Sequence, residues 1–401
     1  MNNDIHVLSD TCIIHKSKRK VAIVINLYYR DTAEEYIDYI DRIPDIFDVY
    51  LFTSNDELLI WLEKRFGAQY HVRVKKKENR GRDVSALLVA FKPYIDRYTY
   101  LCFLHDKKEK QVYLKRDMKL WNDNLWGNML FSEPYIWNVI HLLEEENYGI
   151  LMPPAPVGEY IDSMYGDVWN RDYENVVDLA EKLNINFEID RENLEMVSIS
   201  TVFWCRVDAM RKLFKYGWEY TSFCDEPMPN DGTISHAIER IFGFVAADAG
   251  YKVGTILNDK YASNVLGDLQ KKLRSTYLWM TLNVGIKNTY ELQCLEEEKR
   301  SVDVLYEKHR DIFLYGAGHY GELYIKRLQL WGYKPFGFIV SNGKKIQETF
   351  CDYPVFELDE LKEIPLKDYG VIITANLEYQ KQMEENLAKI GTKNYIKAVF
   401  T

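Results

Sequence analysis

Two hydrophobic patterns alternate along the first hundred residues: short continuous apolar runs, and longer segments in which apolar residues recur every three or four positions. The apolar runs are residues 20–29, 48–55, 70–76 and 99–104. Short runs rich in Val and Ile predict buried strands, and the amphipathic segments 32–43 and 57–67 predict helices between them. Successive strand–helix units predict an α/β sheet with parallel strands, whose ligands bind outside the carboxyl ends of the strands.

The pattern of the second half of the chain predicts further α/β structure. Residues 197–214 form a strand pattern followed by a helix pattern, and residues 231–254 predict another helix. Residues 311–340 give strand, Gly-rich turn, helix and strand, with one more strand over 370–375. The turn Gly316-Ala317-Gly318-His319-Tyr320-Gly321 fits the GxGxxG pattern of dinucleotide-binding folds, in the required place after a strand.

These patterns divide the chain into three predicted parts. The main domain covers 18–265, a charged helical connector covers 266–310, and a smaller Rossmann-like module of nucleotide-binding type covers 311–401. Where such modules often carry an acid that binds a ribose, this chain has Val340-Ser341-Asn342. NAD is therefore not expected as a cofactor.

Composition excludes several classes of protein. The formal net charge of −10 argues against a general nucleic-acid binder, whose footprint is a basic surface. The apolar runs are too short to span a bilayer, and the N-terminus does not have the pattern of a signal peptide. The expected location is the cytoplasm, either free or peripheral on the inner face of the membrane.

A basic loop follows the third predicted strand, with the sequence KKKENRGRD over residues 75–83. Arg80 and Arg82 offer planar forks suited to phosphate oxygens, and Gly81 allows a ligand to approach the main chain. Asp83 could cap the following helix or contact a ligand, and Asn79 belongs to the same group. The alternatives are a solvated loop and a binding place for a diphosphate or nucleotide.

A second charged motif follows the next strand, with the sequence His105-Asp106-Lys107-Lys108. Asp106 could hold a divalent cation such as Mg or Mn together with substrate phosphates. Lys107 or Lys108 could instead neutralise phosphate directly, beside His105. The structural alternative is a surface turn with a weak ion pair.

A third group lies in NDGTISHAIER and consists of Asp231, His236 and Glu239. His236 and Glu239 are three residues apart and share one face of a helix. A carboxylate in such a group could accept a proton from a hydroxyl as a general base. The alternative is that Asp231 caps the helix and Glu239 pairs with Arg240 or another cation.

Four motifs in order, ENRGRDVSALL, YLCFLHDKK, TVFWCRVDAMRKLF and DGTISHAIERIF, resemble the rhamnan synthesis protein F family of bacterial glycosyltransferases. The resemblance covers roughly residues 18–265 and implies a nucleotide-sugar-binding α/β sandwich similar to the A-type glycosyltransferase fold. It further implies transfer of a sugar, often rhamnose, in the synthesis of a cell-wall, capsule or O-antigen polysaccharide. The expected partners are a nucleoside diphosphate sugar and a glycan or lipid-linked glycan acceptor.

The resemblance also assigns roles and shows one departure. Many A-type transferases end the corresponding strand in a metal-binding Asp-x-Asp, whereas this chain has His105-Asp106-Lys107, which argues against a metal. Arg80, Arg82 and Lys107 are then expected to bind diphosphate, and Asp231 or Glu239 to act as the base. Trp204 is expected to stack on the acceptor.

Two other functions remain open. A nucleotide-sugar oxidoreductase or epimerase could use the C-terminal Gly-rich turn, although no Tyr-x-x-x-Lys pair stands at the expected distance after it. A non-catalytic scaffold subunit of glycan assembly is the third possibility, supported by the departure of His105-Asp106-Lys107 from Asp-x-Asp. The sequence leaves the oligomeric state open.

Overall fold

The computed structural model describes residues 4–11, 16–107, 115–155, 168–169, 171–192, 194–198, 200–229, 231–365 and 368–400. The chain divides into two compact units, Met1–Leu266 and Gly267–Thr401. Each unit has its own sheet and its own hydrophobic cores. Among the helices of the described ranges, none has both the length and the hydrophobicity that a membrane crossing requires.

The described part of the first unit contains an eight-stranded sheet. Its strands are β1 (Asp4–Leu8), β2 (Val21–Asn26), β3 (Asp48–Thr53), β4 (Val72–Lys76), β5 (Tyr100–His105), β6 (Tyr148–Met152), β7 (Phe203–Arg206) and β8 (Lys252–Asn258). They lie in the order β1-β8-β6-β7-β5-β2-β3-β4. Only β7 runs antiparallel to its neighbours, β5 and β6, among these strands. The carboxyl ends of β2, β3, β4 and β5 therefore lie at one edge.

Helices cover both faces of this sheet. They are α1 (Arg30–Ile40), α2 (Asp56–Phe66), α3 (Arg82–Ser85), α4 (Lys115–Leu130), α5 (Glu133–Glu145), α6 (Tyr173–Lys182), α7 (Arg211–Phe214) and α8 (Ile234–Asp248). Helix α9 (Asp259–Asn283) follows β8 and contains the boundary between the two units. Alternate residues of β2 enter different cores: Val21 and Ile23 pack with α1, α2, α4 and α5, whereas Ala22 and Val24 pack with α6 and α8. This alternation explains why β2 is apolar at each of the positions 21–25.

The second unit contains a six-stranded sheet within the described residues. Its strands are β9 (Asp311–Tyr315), β10 (Gly337–Val340), β11 (Thr349–Phe350), β12 (Tyr353–Glu357), β13 (Tyr369–Ile373) and β14 (Tyr395–Lys397), in the order β11-β12-β10-β9-β13-β14. Its helices are α10 (Thr289–Gln293), α11 (Leu295–Lys308), α12 (His319–Leu330) and α13 (Leu377–Lys389). The Gly-rich turn joins β9 to α12, and a Cβ on Gly321 would lie 2.3 Å from the carbonyl oxygen of Gly316.

The predicted α/β fold class is confirmed: an α/β unit with a mostly parallel sheet is followed by a smaller Rossmann-like α/β unit. Two details differ from the sequence-based expectation. The first sheet includes β1, which lies before residue 18 and pairs with β8. The helix expected after Asp83 is broken into α3, a π-helical turn over Ala86–Ala90 and a 3-10 helix over Lys92–Arg97. Pro93 in the last segment lacks the N–H that a continuing α-helix needs.

Candidate functional site

The loop between β4 and α3 brings the first charged motif to the carboxyl edge of the sheet. Gly81 has a φ of +71° and caps α3, so Asp83 lies inside the first turn. Of the two alternatives for Asp83, the one in which it caps the helix is therefore wrong. A Cβ on Gly81 would lie 2.6 Å from Cγ of Phe223, so only glycine fits between the loop and this ring. Asn79 accepts a hydrogen bond from Ser54 Oγ at 3.2 Å.

Both arginines of this loop bind one segment, residues 223–228. Nε of Arg80 donates to the carbonyl oxygen of Phe223 at 2.7 Å, and its Nη1 lies 3.0 Å from Oδ1 of Asp225. Nη2 of Arg82 donates to the carbonyl oxygen of Met228 at 3.2 Å, and its Nε lies 3.6 Å from Oε1 of Glu226. The two guanidinium groups are partly exposed and already face carboxylates.

Asp106 is a structural anchor for the loop after β2. Its Oδ2 accepts hydrogen bonds from the backbone N–H groups of Tyr28 and Tyr29, each at 2.8 Å. The residue is 6 % exposed, and burial raises the pKa of its carboxyl group to about 6 against the lowering effect of these two donors. A magnesium or manganese ligand needs an accessible, ionised oxygen, so this residue fits a metal poorly.

His105 and Lys107 flank this anchor. Nδ1 of His105 lies 2.9 Å from the carbonyl oxygen of Asp106, and its Nε2 lies 3.9 Å from Oδ2 of Asp83. Nζ of Lys107 lies 3.7 Å from the centre of the Trp121 ring, a cation–π contact that holds the ammonium group in place. Lys108 lies outside the described residues.

Glu239, on α8, has charged neighbours from both strand-end motifs. Burial raises the pKa of its carboxyl group to about 7, and its charged neighbours include Arg240, Lys107, Asp83 and His105. The third motif therefore lies near the first two, at the carboxyl edge of the sheet. A carboxyl group with a pKa near neutrality can accept and release a proton at physiological pH.

His236 has a structural role at the start of α8. Thr233 is the N-cap residue of this helix, and its Oγ1 lies 2.8 Å from Nδ1 of His236 in a reciprocal capping box. The alternative in which Asp231 caps the helix is therefore wrong. Burial lowers the pKa of the His236 imidazole, which favours its neutral form.

Asp231 belongs to a network of charged side chains with Asp172 and Arg240. Nη1 of Arg240 lies 3.1 Å from Oδ2 of Asp172, and its Nη2 lies 3.7 Å from Oδ1 of Asp231. Burial and a hydrogen bond with Asp231 raise the pKa of Asp172 to about 6. The same hydrogen bond, the backbone N–H of Arg171 and the Arg240 guanidinium lower the pKa of Asp231 despite its partial burial. As the pH falls, Asp172 is therefore the carboxyl group of this pair that takes up a proton first.

The ligand atoms of Asp172, Asp231 and His236 lie within 4.8 Å of one another, a spacing that a metal ion could bridge. The guanidinium of Arg240 already supplies the positive charge to both carboxylates. This cluster is therefore accounted for without an ion.

Trp204 lies in the core. Its side chain is 0 % exposed on β7, and its Nε1 donates to the carbonyl oxygen of Met129 at 3.0 Å. The expectation that it stacks on an acceptor is wrong, because the residue faces the packed layer between the sheet and α4. Side chains alternate between the two faces of a strand, so the register of β7 decides which face Trp204 takes. The strand is too short to show an alternating pattern from which the sequence could predict that face.

Lys77 is a further residue of the site that no sequence pattern indicated. The side chain is 6 % exposed, Nζ donates to the carbonyl oxygen of Glu78 at 2.7 Å, and burial lowers its pKa to about 8. Its charged neighbours include Asp83 and Glu226, so it belongs to the same site. Lys77 is part of the basic loop 75–83, but nothing in the sequence distinguishes this buried lysine from the two lysines before it, which are more exposed.

A separate cavity of about 860 Å³ lies at the carboxyl end of α1 and the start of α5, with Asp41, Arg42, Glu133 and Trp137 among its lining residues. It contains none of the strand-end residues. Nη1 of Arg42 donates to the carbonyl oxygen of Phe131 at 2.8 Å, so this cation already has a partner.

Comparisons with known proteins agree with the motifs. The family model described as "Rhamnan synthesis protein F" matches residues 2–251. Two curated relatives, each named "Uncharacterized protein WxcX", come from Xanthomonas campestris pv. campestris strains B100 and ATCC 33913 and are 25 % identical over 240 residues. The match covers 58 % of this chain and 32 % of each relative, so the chain spans about a third of their length.

A solved structure, that of the apo-form glycosyltransferase GlyE of Streptococcus pneumoniae TIGR4, covers 94 % of this chain and 91 % of its own at 10 % identity. Its TM-score of 0.21 is too low to support an argument about either fold or function. The family model, by contrast, spans more than half of the sequence and includes all three charged motifs. The chain belongs to the rhamnan synthesis protein F family.

Proposed function

We propose that this protein is a Leloir-type glycosyltransferase that moves a hexosyl unit from a nucleoside diphosphate sugar to a hydroxyl of a growing cell-surface polysaccharide. Rhamnose is the candidate sugar because the family is named for rhamnan synthesis. The observation that carries the proposal is Glu239: its carboxyl group, with a pKa of about 7, has Lys107 and His105 from the end of β5 and Asp83 from the loop after β4 among its charged neighbours.

The donor diphosphate would bind to the cations of the two loops. Arg80 and Arg82 present guanidinium forks, which match phosphate oxygens in pairs. Lys77 and Lys107 add two ammonium groups, one buried and one held against Trp121. Fixed positive charges of this kind stabilise the negative charge that develops on a departing diphosphate.

Glu239 would act as the base. The acceptor oxygen forms a bond with the anomeric carbon while its proton passes to the Glu239 carboxylate. The bond between the anomeric carbon and the diphosphate oxygen breaks, and the electron pair leaves with the diphosphate. Asp231 is the weaker candidate, because its lowered pKa and its pairing with Arg240 reduce its basicity.

In this mechanism the cations of the two loops, and not a metal, offset the charge of the diphosphate, since Oδ2 of Asp106 is already bonded to two backbone N–H groups. We therefore expect transfer, or hydrolysis of the donor, to continue in chelator at no less than about a tenth of the rate with magnesium or manganese. The Lys107→Ala variant is expected to lose most of its activity. Lys64→Ala, at an exposed position on α2, is the matched control.

The experiment is to incubate the purified protein with a panel of nucleoside diphosphate sugars and to measure the released nucleoside diphosphate. Complete loss of activity in chelator, restored by manganese and combined with a mild effect of Lys107→Ala, would contradict the metal-free mechanism. Donor binding without hydrolysis or transfer to any acceptor tested would favour the scaffold function. Tight binding of a nicotinamide cofactor would favour the oxidoreductase.

The remaining partners follow from this reaction. The acceptor would be a glycan or a lipid-linked glycan, and the protein would act in the cytoplasm, either free or peripheral on the inner face of the membrane. Nucleic acid is not expected as a partner, given the net charge of −10.

A further inference from the structure

The segment that binds both arginines has two buried ends and an exposed middle. The side chains of Phe223 and Met228 are 2 % and 5 % exposed and anchor the segment in the protein. Between them lie residues 224–227, here called the acidic turn, which carry Asp225 and Glu226. The Asp225 side chain is 85 % exposed and that of Glu226 is 25 % exposed.

Each arginine makes two kinds of contact with this segment. One N–H group donates to the carbonyl oxygen of an anchor residue, Phe223 for Arg80 and Met228 for Arg82. The other contact is an ion pair with a carboxylate of the acidic turn. The carbonyl groups of the anchors therefore hold the arginines in position, and each carboxylate lies against another nitrogen of the same guanidinium group.

We propose that the acidic turn is an internal substitute for ligand phosphates. In the absence of ligand, the carboxylates of Asp225 and Glu226 occupy the anion site, and a diphosphate displaces them while the anchors stay in place. This inference rests on the proposed function, because it takes Arg80 and Arg82 as the residues that bind the donor diphosphate.

Physical chemistry favours this exchange. Ion pairs between partly exposed side chains contribute little stability, so separating the two carboxylates from the arginines costs little. A diphosphate brings several charged oxygens to the two guanidinium forks, and such bidentate, charge-assisted hydrogen bonds are among the stronger ones in proteins. The apparent affinity for the ligand is nevertheless reduced, because only molecules with a displaced turn can bind. The turn would thus exclude anions that interact with one arginine alone.

The test compares three proteins by calorimetric titration with inorganic diphosphate, UDP and dTDP. The proteins are the natural chain, Asp225→Asn/Glu226→Gln, and the charge-matched control Glu145→Gln/Glu188→Gln at two exposed positions. In the natural chain Oε2 of Glu226 accepts a hydrogen bond from the N–H of Met228 at 3.0 Å. The amide oxygen introduced by Glu226→Gln can still accept this bond, so the turn keeps its backbone contact.

We expect the acidic-turn variant to bind diphosphate about three- to thirtyfold more tightly than the natural chain, from the loss of two competing ion pairs. The control variant has the same change in net charge and should differ from the natural chain by less than about twofold. Equal affinities of all three proteins would overturn the inference and leave the proposed function intact. No binding by any of them would overturn both.

A second measurement follows the turn itself. Cys224 is a free, exposed thiol within the acidic turn, and an environment-sensitive fluorophore can be attached to it in a Cys12→Ser/Cys294→Ser/Cys351→Ser background. We expect its emission to change on addition of diphosphate and to saturate with the calorimetric binding curve. Binding without any change in emission would show that the turn stays in place and would contradict the proposal.

Discussion

At the scale of single residues, Glu239 combines burial with cationic neighbours from other elements. Burial raises the pKa of its carboxyl group from the usual 4.5 to about 7. The ionised form is the base, and its fraction grows as the pH rises. We therefore expect transfer activity to increase between about pH 6 and pH 8 and to fall at lower pH. Glu239→Gln should reduce turnover by roughly 100-fold or more while keeping donor affinity.

The same residue gives a readout that does not depend on activity. Because the folded-state pKa lies above the usual value, the folded chain binds more protons than the unfolded chain between pH 4.5 and about 7. The stability that this proton uptake provides is present below pH 4.5 and is lost as the pH rises through 7. Glu239→Gln should therefore melt at a higher temperature than the natural chain at pH 8, and Glu188→Gln should not. A pH–rate profile that is flat from pH 6 to 8, or wild-type turnover by Glu239→Gln, would place the base elsewhere.

At the scale of elements, the turn between β4 and α3 depends on Gly81. Its φ of +71° is unfavourable for other residues, and a Cβ there would overlap the Phe223 ring. Gly217 has a similar φ of +77° but has nothing within 4 Å of its Cβ position. We expect Gly217→Ala to lower the free energy of unfolding by about 1–2 kcal/mol through backbone strain alone.

Gly81→Ala should lower the free energy of unfolding by about 1–3 kcal/mol more than Gly217→Ala does, because its Cβ also overpacks the contact with Phe223. It should also weaken diphosphate binding. Chemical denaturation and titration of both variants separate the two effects. Equal losses of stability in the two variants would show that the loop moves away from Phe223 without strain.

Helices α10, α11 and α12 are joined by a buried charge cluster. The side chain of Arg327 is fully buried, pairs with Glu291, and has Nη1 2.9 Å from Oε2 of Glu298. Burial raises the pKa of Glu298 despite this pairing. The segment expected to be a charged connector thus contributes two acids to the core of the second unit.

Arg327→Met leaves two carboxyl groups buried without their cation. We expect this change to lower the free energy of unfolding of the second unit by about 3–5 kcal/mol, seen by hydrogen exchange in β9 and β13. Arg300→Met, at an exposed position of α11, is the control. The triple variant Arg327→Met/Glu291→Leu/Glu298→Leu should recover stability, because it removes the charges together. Equal loss in the single and triple variants would contradict this account.

At the scale of the whole molecule, the two units have separate sheets and separate cores. We expect a chain ending at Asn283, the last residue of α9, to fold and to bind diphosphate like the full chain. The full chain should not bind NAD tightly, because Ser341 and Asn342 follow β10 where an acid would bind the ribose. Calorimetry tests both expectations. An insoluble truncated chain would contradict the first, and micromolar NAD affinity the second.

Much of this architecture follows from the chain itself. The period of the apolar residues predicts β2 to β5 and the helices α1 and α2, because a buried parallel strand must be apolar on both faces. The same reasoning places the ENRGRD loop and the His105–Lys107 motif at strand carboxyl ends. Sequence motifs also lead to the family, since four of them occur in order over the first 265 residues.

Only the tertiary structure decided what each charged residue does. Asp106 is an anchor for backbone N–H groups, Asp231 is paired with Arg240, and Trp204 is a core residue. Lys77 and the acidic turn belong to the site, although no pattern marked them. The physical reason is that burial and partners come from segments far apart in the chain. Residue type and spacing describe one segment at a time, whereas a pKa, an ion pair or an exposed face depends on all the segments that meet there.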